Sequence, residues 1–457
     1  MGAPINRFLG KPLFVWLYGP AFIVFKASVY FPSFSWITTL ACLFSYWLIT
    51  SILIRFFQLV CSRPFAGVPV VLTWVSILHV VGIAQGLGYS YAYISLTFYL
   101  IFYSAVLILL VVFCLFSKKI PANIAILFNP LANTFLLIVT IVFLTNGLRM
   151  ASRMKADEQE HFHFQAQQVP GKNQDIVWIL MDEYGSSECL SKEFQFNNPM
   201  DSLLQRKNFI SLSSIRSRFP YTLFSVNSIF NMDDSIRPSN FFQGIDLLKH
   251  GSLIPALERS GYRFVNLGFF DMAQHPMIAD RSGYPYQYVQ QLVSGTIFYT
   301  LYNRWKNTVA KCDAYNQEVF HKLDDTLSVA SQSPRFIWAH IPIPHEPFCR
   351  DAEGRLQQDS SYDGRKDSVY IKRKYIEYLQ YGNQMLISLL EKHPDLSQKI
   401  IIISGDHGPR FPFLKGRGFE KQTFAAIHIP EAFDTAQAKQ LRYISEIPGF
   451  LIKKVLK

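Results

Sequence analysis

The first 150 residues of this chain contain no aspartate and no glutamate. They hold five apolar stretches instead, near residues 13–33, 36–56, 67–88, 91–116 and 122–146. Each is about long enough to cross a hydrocarbon core of roughly 30 Å as a helix. The first is the least regular, because Pro20 and Lys26 interrupt it. Aromatic residues gather toward several ends, as at a membrane interface. A cleaved export signal is a single short apolar run, so five runs exclude that reading for the region as a whole. The expectation is a membrane domain of five transmembrane helices over residues 1–146.

The loops set the orientation. Arg7 and Lys11 precede the first span, Arg63 separates the second from the third, and Lys118 and Lys119 separate the fourth from the fifth. The intervening connections around Pro32-Ser33-Phe34 and Gly88-Tyr89-Ser90 carry no charge. Positive charge marks the cytoplasmic side, so the N-terminus is expected there and everything after about residue 147 on the other side. Arg149, Arg153 and Lys155 oppose this mildly, though a large translocated domain tolerates such charges. The expected location is the cytoplasmic (inner) membrane, with a soluble domain facing the periplasm or the cell exterior.

This distribution also disposes of the overall charge of +11. Eight basic residues lie in the first 150, which leaves 36 basic against 33 acidic side chains in the rest. That is an ordinary soluble domain with no nucleic-acid footprint. Of six cysteines, Cys42, Cys61 and Cys114 are in or beside spans, while Cys189, Cys312 and Cys349 follow them. The exported part can therefore hold at most one internal disulfide, and no spacing resembles a zinc finger.

Residues 147–174 are polar and include Pro170-Gly171, which reads as a linker or a helix on the membrane surface. His161 and His163 there are alternating histidines on a polar segment, expected to be solvated. From residue 175 onward, strands and helices alternate. Ile176 to Met181 is a continuous apolar run of the buried parallel type. Residues 199–207, 222–231 and 252–260 look helical, with strands at 208–213 and 262–267. Residues 336–341 form another buried strand, 369–392 a long amphipathic helix, and 399–404 a third buried strand. The expected class is an α/β soluble domain over residues 175–457, layered around a mostly parallel sheet, behind a multi-span α-helical membrane domain.

In open α/β sheets, ligands gather where strands end at their carboxyl edge. Three of the strongest strands end in residues suited to a metal. One ends at Asp182-Glu183, one at His340 with His345 beyond it, and one at Asp406-His407. Carboxylate and imidazole together suit zinc, or manganese, with a position left open for substrate. Each has an ordinary explanation when taken singly. Asp182 can cap a helix, Asp406-His407-Gly408-Pro409 can be a turn, and His340 can be a hydrogen-bonded core histidine. Together at three strand ends they point to a catalytic site.

These residues also match a family. Asp175-Ile-Val-Trp-Ile-Leu-Met-Asp182-Glu183 resembles the opening strand of the alkaline phosphatase/sulfatase superfamily, where the acidic residue after the strand binds metal. Ile401-Ile-Ile-Ser404-Gly405-Asp406-His407-Gly408 resembles its late Asp-His-Gly motif, which supplies two more ligands. Pro344-His345-Glu346-Pro347 resembles the Pro-His-x-Pro segment of its sulfatase-like branch. The segment Arg218-Phe-Pro-Tyr-Thr222-Leu-Phe-Ser225 resembles the one presenting the nucleophile on a helix N-terminus. The resemblance covers roughly 174–430, in the expected order.

By that resemblance, Asp182, Asp406 and His407 hold a divalent metal, with Glu183 the alternative first ligand. Thr222 is the nucleophile and touches the metal, and Ser225 is held in reserve. A hydroxyl there sits where backbone N–H groups and the helix dipole favour an anion, although a threonine in that position can also be a simple cap. His345, and with it His340, would contact phosphate and move a proton, and Arg410 could pair with a phosphate. His428, in the apolar run Ala425-Ala-Ile-His-Ile, reads as a strand residue and not a further ligand.

Formylglycine sulfatases need Cys or Ser, any residue, Pro, any residue and Arg, and no such pentapeptide occurs here. Phosphoryl transfer is therefore expected over sulfate hydrolysis. Multi-span anchors joined to such a domain resemble the phosphoethanolamine transferases and the lipoteichoic-acid-type glycerol-phosphate transferases. The implied partners are a phospholipid donor and an envelope glycan or lipid acceptor. A phosphoester hydrolase and a catalytically silent envelope binding protein are the alternatives. A transporter is disfavoured, since the spans lack acidic residues.

Overall fold

Helices make up most of the described part of the acid-free region. The computed structural model describes residues 11–29, 36–87, 96–160, 174–233, 235, 241–268, 270–273, 275–276, 295–298, 308–357, 367–430 and 435–452. The chain forms two units, residues 1–159 with 285–306, and residues 160–284 with 307–457.

The first unit contains α1 (Phe14–Val29), α2 (Trp36–Val60), α3 (Gly67–Gly86), α4 (Leu96–Ser117) and α5 (Ala122–Glu160). Four stretches, Ile37–Val60, Arg63–Ala84, Thr97–Ser117 and Ala122–Val142, are long and apolar enough to cross a membrane. They fall on four of the five apolar runs, and the remaining one is the shorter apolar helix Phe14–Lys26. Leu100, Ile101, Leu107, Ile108 and Leu109 of α4 stand exposed. So large an apolar exterior suits lipid and not water.

The inside of this unit is specific. Tyr46 and Trp74 pack with ring centroids 4.7 Å apart, and Trp74 Nε1 donates to Thr50 Oγ1 at 3.0 Å. A Cβ at Gly19 would lie 2.3 Å from the Tyr46 ring, so glycine there lets α1 approach α2. The helix α5 continues through 147–160, where the sequence suggests a linker or a surface helix. His161 and His163 lie outside the described residues.

The second unit is built on a six-stranded sheet. Its strands are β1 (Ile176–Met181), β2 (Ile210–Ser211), β3 (Arg263–Leu267), β4 (Arg335–Ile341), β5 (Ile400–Gly405) and β6 (Ala425–His428), in the order β2-β6-β5-β1-β4-β3. β5, β1, β4 and β3 run parallel, whereas β6 is antiparallel to β5 and β2 to β6. Every residue of β1, β4 and β5 is buried, which explains their unbroken apolar sequences. Within this core Trp178 lies 5.5 Å from Trp338 and donates from Nε1 to Ser404 Oγ at 2.9 Å.

Register then fixes the site. Met181 pairs with Ile341 on one side and Gly405 on the other, so β1, β4 and β5 finish level. Asp182, His340 and Asp406 are thereby delivered to one carboxyl edge. At the opposite end Asp175 accepts from Arg335 Nε at 3.1 Å and Nη2 at 2.6 Å, tying the starts of β1 and β4.

Three helices frame that edge: α6 (Thr222–Asn231), α7 (Thr308–Ser328) and α8 (Ser368–Lys392). The helix α6 is buried nearly all round, and Phe230 meets Trp338 edge to face at 4.7 Å. Asn227 Nδ2 donates at 2.8 Å to both Leu223 O and Gly244 O, which fixes the helix against its neighbour. In α8, Asp367 caps the start by accepting from Tyr370 N at 2.7 Å.

Candidate metal centre and nucleophile

Asp182 follows β1 directly, and its backbone N–H donates to Ile341 O at 3.0 Å, extending the ladder one residue. Glu183 then turns the chain through φ 60°, a left-handed conformation that is uncommon outside glycine. Two contacts hold that turn. Glu183 N donates to Asp406 Oδ1 at 3.0 Å, and Tyr375 of α8 donates to Glu183 O at 2.7 Å.

The Asp-His-Gly segment packs as closely. A Cβ at Gly405 would lie 2.2 Å from Thr423 Oγ1, and one at Gly408 only 2.0 Å from Phe419 O. Only glycine fits either position. Asp406 Oδ1 accepts a second backbone bond, from His407 N at 2.8 Å. Its other oxygen, Oδ2, is buried and takes part in no hydrogen bond.

Asp182, Asp406 and His407 form a buried cluster whose ligand atoms all lie within 4.8 Å of one another. His407 Nδ1 faces Gly408 O at 2.9 Å, and a carbonyl only accepts, so Nδ1 carries the hydrogen. Burial and Arg410 push the His407 imidazole down to about 4, so it is neutral near pH 7. Its Nε2 therefore presents a lone pair, 3.2 Å from Asp406 Oδ2 and 3.8 Å from Asp182 Oδ1. Lone pairs turned on one another in a buried site call for a proton or a metal ion between them.

Thr222 opens α6, and its Oγ1 lies 3.3 and 3.4 Å from the Asp182 oxygens and 3.4 Å from His407 Nε2. Ligands about 2.1 Å from a tetrahedral zinc stand about 3.4 Å apart. The separations observed here, from 3.2 to 3.8 Å, fit that spacing. The donor set fits a divalent metal.

The electrostatics agree. Burial and the neighbouring Asp182 hold the Asp406 carboxyl up to about 8. Burial also opposes ionisation of Asp182, yet His345, His340 and His407 hold it well below the usual carboxylate range. Two carboxylates this close cannot both ionise readily without added positive charge.

The remaining predicted residues take different places. Glu183, the alternative ligand, gives Oε1 to Arg410 Nε at 2.7 Å instead of joining the cluster. Arg410 Nη2 also lies 3.0 Å from His345 Nε2, and the guanidinium sits 5.3 Å from the Tyr221 ring, next to Thr222. His345 lies between two cis prolyl bonds, Ile343–Pro344 and Glu346–Pro347. Burial would lower its pKa, but Glu183 and Asp182 hold it up to about 9. A guanidinium only donates, so protonation of His345 must break its hydrogen bond to Arg410.

His340 is fully buried between Phe270 and Trp338 and meets the site through Asp182 Oδ2, 3.8 Å from its Nε2. Ser225 cannot stand in for Thr222. Its hydroxyl is buried, donates to Phe219 O at 3.0 Å and pairs with Ser217 Oγ at 2.7 Å. His428 lies on β6 with its ring nitrogens 3.3 Å from Asn208 O and 3.1 Å from Ser397 O, outside the cluster.

The sulfatase family profile matches residues 174–430, more than half of the chain, and the chain belongs to that family. It is thus an enzyme of the alkaline phosphatase/sulfatase superfamily. No curated protein matches its sequence. Among solved structures it is similar to the lipooligosaccharide phosphoethanolamine transferase A of Neisseria meningitidis, an integral membrane protein. That match has 11% identity and a TM-score of 0.44, over 98% of this chain and 95% of the other. It is similar to a lipoteichoic acid synthase of Listeria monocytogenes at 10% identity and a TM-score of 0.38, over 65% and 76% of the two chains. A phosphonate monoester hydrolase of Agrobacterium radiobacter matches at 11% identity and a TM-score of 0.40, over 62% and 74%.

Proposed function

We propose that this enzyme is a membrane-anchored phosphotransferase. It would move a phosphorylated headgroup, such as phosphoethanolamine or glycerol phosphate, from a phospholipid to an envelope glycan or lipid through a phosphothreonine at Thr222. One observation carries this reading: the Thr222 hydroxyl lies 3.3 Å from Asp182 and 3.4 Å from His407, at the N-terminus of α6. No side chain caps that helix, which leaves its leading N–H groups and dipole for a phosphoryl oxygen. The missing formylglycine pentapeptide supports phosphate over sulfate.

Asp182, Asp406 and His407 would hold zinc, with manganese the second choice for this mixed donor set. When bound, the metal offsets charge on the phosphoryl oxygens and lowers the pKa of a neighbouring hydroxyl. Asp182 accepts the Thr222 hydrogen bond and orients Oγ1, whose proton would pass to solvent as the oxygen attacks the donor phosphorus in line. The bond from phosphorus to the diacylglycerol oxygen breaks as the bond to Thr222 forms. His345, protonated near neutral pH, gives its proton to the departing alkoxide. Arg410 pairs with a phosphoryl oxygen, and His340 holds Asp182 from behind. An acceptor hydroxyl then displaces Thr222 in the reverse sense.

Residues 1–146 are the anchor in this reading, with five spans, and 147–174 join it to the catalytic domain over 175–457. The N-terminus lies in the cytoplasm and the catalytic domain in the periplasm or outside the cell. Incubating the purified chain with phosphatidylethanolamine and no acceptor should add one headgroup phosphate to the intact mass, mapped to Thr222. Diacylglycerol release with no adduct on rapid quenching would sink the covalent mechanism.

A further inference from the structure

Cysteines meet pairwise in both units. Cys312 of α7 and Cys349 of the loop after β4 are free cysteines close enough for their thiols to interact. The residues beside them lock that approach. Arg350 donates to Asp313 from Nε at 2.6 Å and from Nη2 at 2.7 Å, a two-pronged ion pair one step along the chain from both sulfurs. Both cysteines are buried, and the Cys349 thiol donates to Pro347 O at 3.1 Å. In the helical unit the thiols of Cys61 and Cys114 are also close enough to interact. Cys61 belongs to a buried cluster there, and Cys114 packs against that cluster.

Surroundings separate the two pairs. Cys61 lies in the Arg63 loop and Cys114 close to Lys118 and Lys119, the loops that the charge pattern assigns to the cytoplasm. Cys312 and Cys349 lie in the domain assigned to the other side. Thiols stay reduced in the cytoplasm, whereas disulfides persist outside it.

We propose that Cys312 and Cys349 form a disulfide in the exported protein, while Cys61 and Cys114, in similar proximity, remain a dithiol. This rests on the extracytoplasmic orientation proposed above. The co-reactant is an envelope disulfide oxidant. One cysteine thiolate attacks a sulfur of that oxidant, breaks its S–S bond and releases the first thiol. The second cysteine then attacks the mixed disulfide and releases the second thiol. Two electrons pass to the oxidant, and both thiol protons are lost. The hydrogen bond to Cys349 and burial hold the folded Cys312 thiol well above its ordinary range. Exchange therefore belongs to folding, before the pair is enclosed. Once formed, the cross-link ties α7 to the segment carrying His345, four residues before Cys349.

The test alkylates the full-length purified chain with N-ethylmaleimide in denaturant without reductant, then maps its peptides by mass. The expected result is a Cys312 peptide joined to a Cys349 peptide, two hydrogens lighter than the separate pair, with Cys61 and Cys114 both alkylated. Alkylated Cys312 and Cys349 in a chain whose C-terminal reporter is active outside the cytoplasm would overturn the pairing and leave the orientation standing. Joined Cys61 and Cys114 beside alkylated Cys312 and Cys349 would overturn the orientation and the proposal with it. Joining of both pairs would overturn the contrast between them.

Discussion

Glu183 and Arg410, 227 residues apart in sequence, form a 2.7 Å ion pair at the edge of the metal cluster. Its consequence is electrostatic. After the opposing effect of burial, Glu183 is the strongest influence on His345 and helps to hold that imidazole up to about 9.

Glu183→Gln removes one of the negative charges that favour the imidazolium, so the His345 pKa must fall. If protonated His345 supplies the proton to the leaving oxygen, activity that survives to about pH 9 in the wild type will fade at lower pH in the variant. The measurement is a pH profile of kcat. A basic limb in the same place for both proteins would remove His345 from the proton-transfer role.

The metal cluster makes a separate claim. Asp406→Asn and His407→Ala should each lose most bound metal, with the sheet intact by circular dichroism. Neither side chain is needed for the ladder, because β5 ends at Gly405. Elemental analysis decides the matter. Undiminished stoichiometric zinc or manganese in both variants would show that the ligands lie elsewhere.

Stability depends on the far end of the same strands. Asp175 accepts two hydrogen bonds from the buried Arg335 guanidinium and lies 3.6 Å from Lys399 Nζ. Asp175→Ala strands the guanidinium inside the protein, and breaking such a buried pair costs about 3–5 kcal/mol. Denaturant unfolding measures this. A loss under about 1 kcal/mol would mean that solvent reaches Arg335 freely.

The sequence was legible where physical constraint is local. The continuous apolar run at 176–181 and the four isoleucines within 399–404 read as buried strands, and polar residues just past such strands face an edge. Asp182, Asp406 and His407 were singled out that way, and the structure brings the three together. The left-handed turn at Glu183 was not legible, because no glycine marks it and its supports, Asp406 and Tyr375, are distant in sequence. Nor was the ion pair that engages Glu183, which depends on Arg410 reaching back across 227 residues. The helix α7 escaped notice because its buried face includes Cys312, Asp313 and Asn316, which blur an apolar stripe.

Topology is tested with reporters. An alkaline-phosphatase-type fusion after residue 457 should be active, and one near Lys118 inactive, because basic loops face the cytoplasm. The first span is the point at risk, since its helix is only 16 residues long in Phe14–Val29. If that helix did not cross, four spans would leave the C-terminal domain in the cytoplasm and silence the first fusion.

Thr222→Ala decides whether the hydroxyl is chemistry or architecture. The threonine side chain makes no cap bond in α6, and the residue in the capping position is Tyr221. Its removal should therefore cost little stability, well under the roughly 1 kcal/mol of a lost cap. Three other side chains remain to hold the metal, so metal content should stay near that of the wild type. Ser225 offers no substitute, because its hydroxyl is committed to Phe219 O and Ser217. Turnover should fall by several orders of magnitude, as expected when a covalent nucleophile is lost. The assay is diacylglycerol release from a fluorescent phospholipid that the wild type cleaves. A folded, metal-loaded Thr222→Ala enzyme turning over near the wild-type rate would end the phosphothreonine mechanism and leave direct transfer to the acceptor in its place.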